Sequence, residues 1–166
     1  MKKAIIIILS VFFTANIVAQ DAKTESKLYN PTANADKDIA AAVKEAAASH
    51  KYVLVMGGGN WCSWCIEFAR FAKADPQIDS VLNSAFVWYH LNYSKENKNP
   101  DIFARYGYPQ RFGFPVFIIL NEKGERIHTQ NSEYLEDGKK SYNKDKVTEF
   151  LEAWSPKALD PGQYKN

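Results

Sequence analysis

Trp61-Cys62-Ser63-Trp64-Cys65 holds the only two cysteines of a 166-residue chain. At the start of a helix, this spacing lets one sulfur attack a foreign disulfide while the other lies close enough to release the mixed disulfide that forms. Two other uses of the pair are weaker. A purely structural bridge over so short a gap closes a tiny loop and removes little entropy from the unfolded chain. A tetrahedral zinc site wants four Cys or His ligands, and the chain adds only His50, His90 and His128, none in ligand-pair spacing. No metal and no cofactor are therefore expected.

The flanking residues supply the elements that such a pair needs. Val53 to Met56 reads as a short buried strand, Gly57-Gly58-Gly59 as a glycine-rich turn, and Ile66 to Ala72 as the helix that follows. Cys62, at the helix N-terminus, faces unsatisfied N–H groups and the positive end of the dipole, which lowers its pKa and makes it the expected nucleophile. Cys65 lies one turn deeper and is the expected resolving thiol. Trp61 and Trp64 offer a flat apolar surface for docking. Ser63 and Trp64, inside the loop, are hard to bury fully and are read with Trp61 as partner-contacting residues.

Met1 to Ala19 has the organisation of a secretory signal. Lys2 and Lys3 form a positive region, Ala4 to Phe13 an almost unbroken apolar core, and the run ends in a small residue at Ala19. Thr14 and Asn16 interrupt the apolar stretch, which falls short of the roughly 20 residues a spanning helix needs. Cleavage after Ala19 is expected, and with it a periplasmic or secreted protein with no stable membrane insertion. Retention as an anchor is the other possibility. In an oxidising compartment idle thiols become disulfides, so a chain that keeps only this pair is using it. The full chain carries 21 basic and 19 acidic residues, and removal of Lys2 and Lys3 leaves a balanced charge. That balance argues against a nucleic-acid or anionic-membrane partner.

Residues 20–35 read as a flexible lead, 36–155 as one domain and 156–166 as a tail. Within the domain, Asp36 to Ser49 is an amphipathic helix capped by Asp36. Asp75-Pro76 breaks the Cys helix and Gln77 to Asn83 forms a further turn or two. Ala85 to Tyr93 is a buried strand, Pro100 to Tyr106 a short helix, and Val116 to Leu120 another buried strand. Asn121 to Gly124 turns the chain into a hairpin partner, Glu125 to Gln130. Asn131 to Asn143 is a long polar loop, and Asp145 to Trp154 a closing helix.

This order, with Trp61-Cys62-Ser63-Trp64-Cys65, His90-Leu91-Asn92 and Gly113-Phe114-Pro115-Val116 running to Lys123-Gly124-Glu125, resembles the thioredoxin superfamily over most of residues 36 to 154. Glu67-Phe68 and Asp75-Pro76-Gln77-Ile78 are most similar to the C-terminal domain of DsbD-type disulfide reductases and to small exported thioredoxin-like proteins. The resemblance implies an α/β fold with a central mixed sheet of four or five strands and helices on both faces. It also implies a cis peptide bond before Pro115 beside the Cys pair, the isomer proline makes accessible. The backbone of Phe114 would then hold the extended chain of a partner by β-type pairing.

One departure from the resemblance concerns protons. Thioredoxins carry a buried acid six residues before the first Cys, where this chain has Met56. Glu67 and His90 are the candidate proton-transfer groups, each with a blander reading: Glu67 as a solvated helix residue, His90 as a satisfied structural histidine. No histidine stands between the cysteines to stabilise the thiolate, so a reductase or isomerase direction is favoured over an oxidant. The expected partners are protein thiols and disulfides and a redox partner protein. A non-catalytic binding module, or a copper-delivery protein using the same groove, is the alternative.

Overall fold

Val53, Leu54, Val55 and Met56 are all fully buried, and because strand side chains alternate, such a run requires cover on both faces of the sheet. That is the architecture found in the computed structural model, which describes residues 27–165. The expected signal segment, residues 1–19, and the beginning of the lead lie outside the described residues.

The order is α1 (Ala35–Ser49), β1 (Tyr52–Gly58), α2 (Ser63–Ala74), α3 (Pro76–Ala85), β2 (Phe86–Asn92), α4 (Pro100–Arg105), β3 (Val116–Leu120), β4 (Arg126–Asn131) and α5 (Lys144–Ala153). Among the described residues these strands form one sheet in the order β2-β1-β3-β4. β1 and β2 are parallel, while β3 runs antiparallel to both of its neighbours. Leu54, Met56, Phe117 and Ile119 pack with Phe68 of α2, Ile78 of α3 and Leu151 of α5 on one side. Val53, Val55, Ile118 and Leu120 pack with Ile39 of α1 and Phe103 of α4 on the other. The expected mixed α/β sheet covered on both faces is present, with four strands.

Local chemistry sets most boundaries. Asp75 ends α2 and caps α3, its Oδ1 accepting from the Gln77 and Ile78 amides at 2.9 and 3.2 Å, with Pro76 opening the new helix. Asn121 Oδ1 accepts from the amides of Lys123 and Glu125, and Gly124 adopts φ +78°, which closes the β3–β4 turn.

Three expectations change. The cap of α1 is Asn34, whose side chain accepts from the Lys37 amide at 3.1 Å; Asp36 lies in the first turn and pairs with Arg105 at 2.6 Å. Residues 131–143 are docked rather than free. Ser132–Leu135 forms a 3-10 turn, Glu136 bridges to Tyr142, and Leu135 and Tyr142 are buried because two apolar residues suffice to anchor a polar segment. The lead is anchored too: Tyr29 is fully buried within the α2 side of the core.

Candidate active site

β1 carries the chain to the Cys loop, and two of the three glycines belong to the strand rather than to a turn. None of Gly57, Gly58 and Gly59 has a positive φ; what requires glycine is close approach. A Cβ on Gly58 would overlap Cys65 Sγ and lie 2.6 Å from the Tyr29 hydroxyl oxygen. A Cβ on Gly59 would overlap the Trp61 indole and lie 2.7 Å from the Tyr93 carbonyl oxygen. The space over Gly58 is filled by Cys65 and the distant Tyr29 side chain, and that over Gly59 by the nearby Trp61 indole and the Tyr93 backbone carbonyl.

Cys62 is the N-cap of α2, with extended backbone, and its Sγ accepts a hydrogen bond from the Cys65 amide at 3.1 Å. Cys62 and Cys65 are joined in a disulfide. Cys62 keeps 5% exposure and Cys65 none, so solvent and any partner reach the pair from the Cys62 side. The first-turn amides and the dipole of a 12-residue helix point at the Cys62 sulfur, the environment that favours a thiolate there once the bond is opened.

Around Cys62 the surface is apolar. Trp61 is 59% exposed, its indole N–H donating to the Tyr93 carbonyl at 2.7 Å and its ring meeting Phe114 edge-on with centroids 5.6 Å apart. Phe114 packs in turn on Tyr93 and Phe103. Ile66, four residues after Cys62 and so on the same helical face, is also exposed, as is Ser63. The Phe114–Pro115 peptide is cis. Val116 pairs with Gly57, so the antiparallel register brings this dipeptide to the end of β1 where the Cys loop begins.

Trp64 takes a different place. Its ring is half-buried against Tyr142, edge-on at 5.5 Å, and the Tyr142 hydroxyl donates to the Trp64 carbonyl at 3.1 Å. The docked segment 131–143 thus grips the first turn of α2. Glu67 belongs to the same outer contact: Arg70 and Ser141 donate to its carboxylate, which holds its pKa below the usual range. Its oxygens are occupied at the surface, beside a cleft shared with Ser63, Trp64 and Lys140.

His90 pairs with Met56 across the parallel strands β1 and β2. Its Nε2 finds no hydrogen-bond partner among the described residues, and burial, reinforced by the Lys73 charge, lowers its pKa to about 4. It is therefore neutral near pH 7 and lacks the partner a satisfied structural histidine would have. The ring lies 4.7 Å from that of Trp88 and meets Tyr29 edge-on at 5.6 Å. Tyr29, Asn60, Ile66, Tyr93 and Tyr142 are the site residues that sequence reasoning missed. Of these, Asn60 and Ile66 could have been found from their spacing to Cys62; the others reach the site only through the fold. No group of three or more His, Cys, Asp or Glu side chains converges as metal ligands would among the described residues.

A protein-family model described as thioredoxin-like matches residues 33–122, just over half of the chain. Among solved structures the chain is similar to a disulphide isomerase from Xylella fastidiosa Temecula1, with a TM-score of 0.67 and 20% identity, over 77% of this chain and 96% of that one. It is also similar to the C-terminal domain of Neisseria meningitidis DsbD in the reduced form, with a TM-score of 0.54 and 20% identity, over 72% and 96% respectively. At such identities the likeness is one of fold. No curated protein sequence matches.

Proposed function

The chain belongs to the thioredoxin-like family, and on that premise we propose that it is a thiol–disulfide oxidoreductase exchanging disulfides with partner proteins through Cys62 and Cys65. The observation that carries this reading is the Cys62–Cys65 disulfide at the N-terminus of α2, with Cys62 keeping a narrow 5% exposure and Cys65 sealed. Cys62 is the nucleophile, because only its sulfur borders the surface and the helix amides favour its thiolate. Cys65 is the resolving thiol. Trp61 and Phe114 form the apolar rim against which a partner docks, and the Phe114 backbone pairs with the partner's extended chain.

The favoured direction is reduction or isomerisation, since Ser63 and Trp64 place no positive charge between the cysteines. The protein acts outside the cytoplasm, in the periplasm or as a secreted protein. The charge and hydropathy pattern of Met1 to Ala19 supports that. No helix among the described residues is long and apolar enough to cross a membrane.

Reduction of insulin disulfides with dithiothreitol as electron source tests the reading. The wild type is expected to accelerate the reaction and Cys62→Ser to abolish that acceleration, while reduced Cys65→Ser, freed of dithiothreitol and then mixed with insulin, is expected to accumulate a stable mixed disulfide. Turnover by both single variants would reverse the assignment of roles. No turnover by the wild type would leave the binding-module reading.

A further inference from the structure

Tyr29 enters the core from the segment before α1 and is held there by a residue of the Cys loop. Its amide donates to Asn60 Oδ1 at 3.0 Å, and Asn60 Nδ2 donates back to the Tyr29 carbonyl at 2.8 Å. The ring is fully buried, and its hydroxyl has no hydrogen-bond partner among the described residues. A buried hydroxyl without a partner destabilises a fold, so its presence calls for another use. Its surroundings point to one. The hydroxyl oxygen and Cys65 Sγ converge over Gly58, on a point that any side chain at position 58 would occupy.

We propose that the Tyr29 hydroxyl is the positioning group of the resolving thiol, donating a hydrogen bond to Cys65 Sγ when the disulfide is open and stabilising its thiolate. This deepens the oxidoreductase reading and rests on it for its role in turnover. A thiolate is a far stronger acceptor than a disulfide sulfur, so opening the Cys62–Cys65 bond supplies the acceptor that the Tyr29 hydroxyl lacks.

Among the other polar groups on this side, Trp88 Nε1 and His90 Nε2 are also buried without a hydrogen-bond partner among the described residues, their rings 4.7 Å apart. The Tyr142 hydroxyl is spent on the Trp64 carbonyl, Glu67 is held at the surface by Arg70 and Ser141, and His90 is neutral and abuts the Tyr29 ring edge-on. Lys73 bears on His90 through its charge alone. Met56 offers no carboxylate. Burial drives the ionisation of Tyr29 well above the ordinary phenol range, so the hydroxyl is a donor and not a base.

In turnover the Cys62 thiolate attacks one sulfur of a partner disulfide, whose S–S bond breaks to release a partner thiolate. Cys65 then gives its proton to water or to that thiolate, and its own thiolate, bonded to Tyr29, attacks Cys62 Sγ. The second partner sulfur leaves. The partner gains two electrons, the two cysteines lose two, and Tyr29 keeps its proton throughout.

Tyr29→Phe retains the ring and removes only the hydroxyl. At a pH above the Cys65 alkylation midpoint, the Cys62–Cys65 couple equilibrated with glutathione is expected to shift about tenfold toward the disulfide, which for a two-electron couple is about 30 mV more reducing. In the Cys62→Ser protein, the added Tyr29→Phe change is expected to raise the midpoint of Cys65 alkylation against pH by about one unit. A packing role alone would move neither. An unchanged equilibrium and an unchanged midpoint in a folded Tyr29→Phe protein would overturn the proposal. Should that variant fail to fold, fluorotyrosine at position 29, a stronger donor of nearly the same shape, is expected to shift both readouts the opposite way, and no shift overturns the proposal equally. If the wild type reduces no insulin, the oxidoreductase reading falls, while the alkylation midpoint still decides whether Tyr29 bonds to Cys65.

Discussion

Cys62 and Cys65 share one bond and stand three residues apart, yet their surroundings are built from different parts of the chain. Cys62 caps a helix and borders an exposed rim of Trp61, Ile66 and Ser63, residues next to it in sequence. Cys65 is sealed beneath, over a glycine of β1 and beside Tyr29 from the segment ahead of α1. The docked segment 131–143 closes over the same helical turn through Tyr142. The rim is thus tuned by local helix electrostatics, and the underside by packing and by polar groups left without partners. The proposed exchange, beginning at Cys62 and finishing at Cys65, would use both.

The underside should be the more fragile of the two, and Gly58→Ala is the strongest way to break it. The new Cβ collides with a disulfide sulfur and a buried hydroxyl, neither of which is the free end of a flexible side chain. A loss of about 3 kcal/mol is expected from overpacking, read as a lower denaturant midpoint of the oxidised protein. Near-wild-type stability would mean that Tyr29 and Cys65 can move apart freely.

The charge state of the underside supplies a smaller effect. His90 has a folded pKa near 4, below its ordinary 6.5, so between those values the unfolded chain binds a proton that the native state refuses. Stability therefore falls as pH drops from 6.5 to 4, by about 2 kcal/mol once the partial exposure of the ring is allowed for. His90→Phe should flatten the denaturation profile in that window and leave the steeper fall below pH 4, where Glu67 and Asp75 lose their partners. An unaltered slope between pH 6.5 and 4 would place the titration elsewhere.

Trp61→Ala sharpens the contrast from the other side. The indole is largely exposed and its burial contributes little, so a stability change under about 1 kcal/mol is expected. The apolar rim is nonetheless reduced, and the Michaelis constant for a protein disulfide should rise while the Cys62–Cys65 equilibrium with glutathione stays in place. A large loss of stability would show that the rim is part of the core after all.

The Cys spacing, the strand before it, the helix after it and the proline-led strand near the end are legible in the sequence because each rests on neighbours a few residues apart. The Cys62 environment follows from the same local rule, since helix amides that face an N-cap come from the next three residues. Met56 beside His90 also followed once the strands were placed, because parallel pairing sets which residues are opposite. The three glycines read as a turn in the sequence, whereas two of them end β1 and what requires glycine is close approach. A residue type records that space is needed; it does not record what fills it.

What fills it was decided by tertiary structure. Asn60 and Tyr29 are 31 positions apart and Tyr142 and Trp64 are 78 apart, and contacts at such separations leave no periodic mark in a polar, irregular segment. Tyr29 and Tyr142 are single anchors, buried because the folded sheet and α2 present a cavity of their size. The protonation state of His90 was settled in the same way, by desolvation that exists only once β2 is covered. The sequence by itself determined the spacing of the two sulfurs and their place at a helix end, since both depend on neighbouring residues. Only the packed chain determined what lies against the buried one, since that depends on which distant side chain reaches the gap over Gly58.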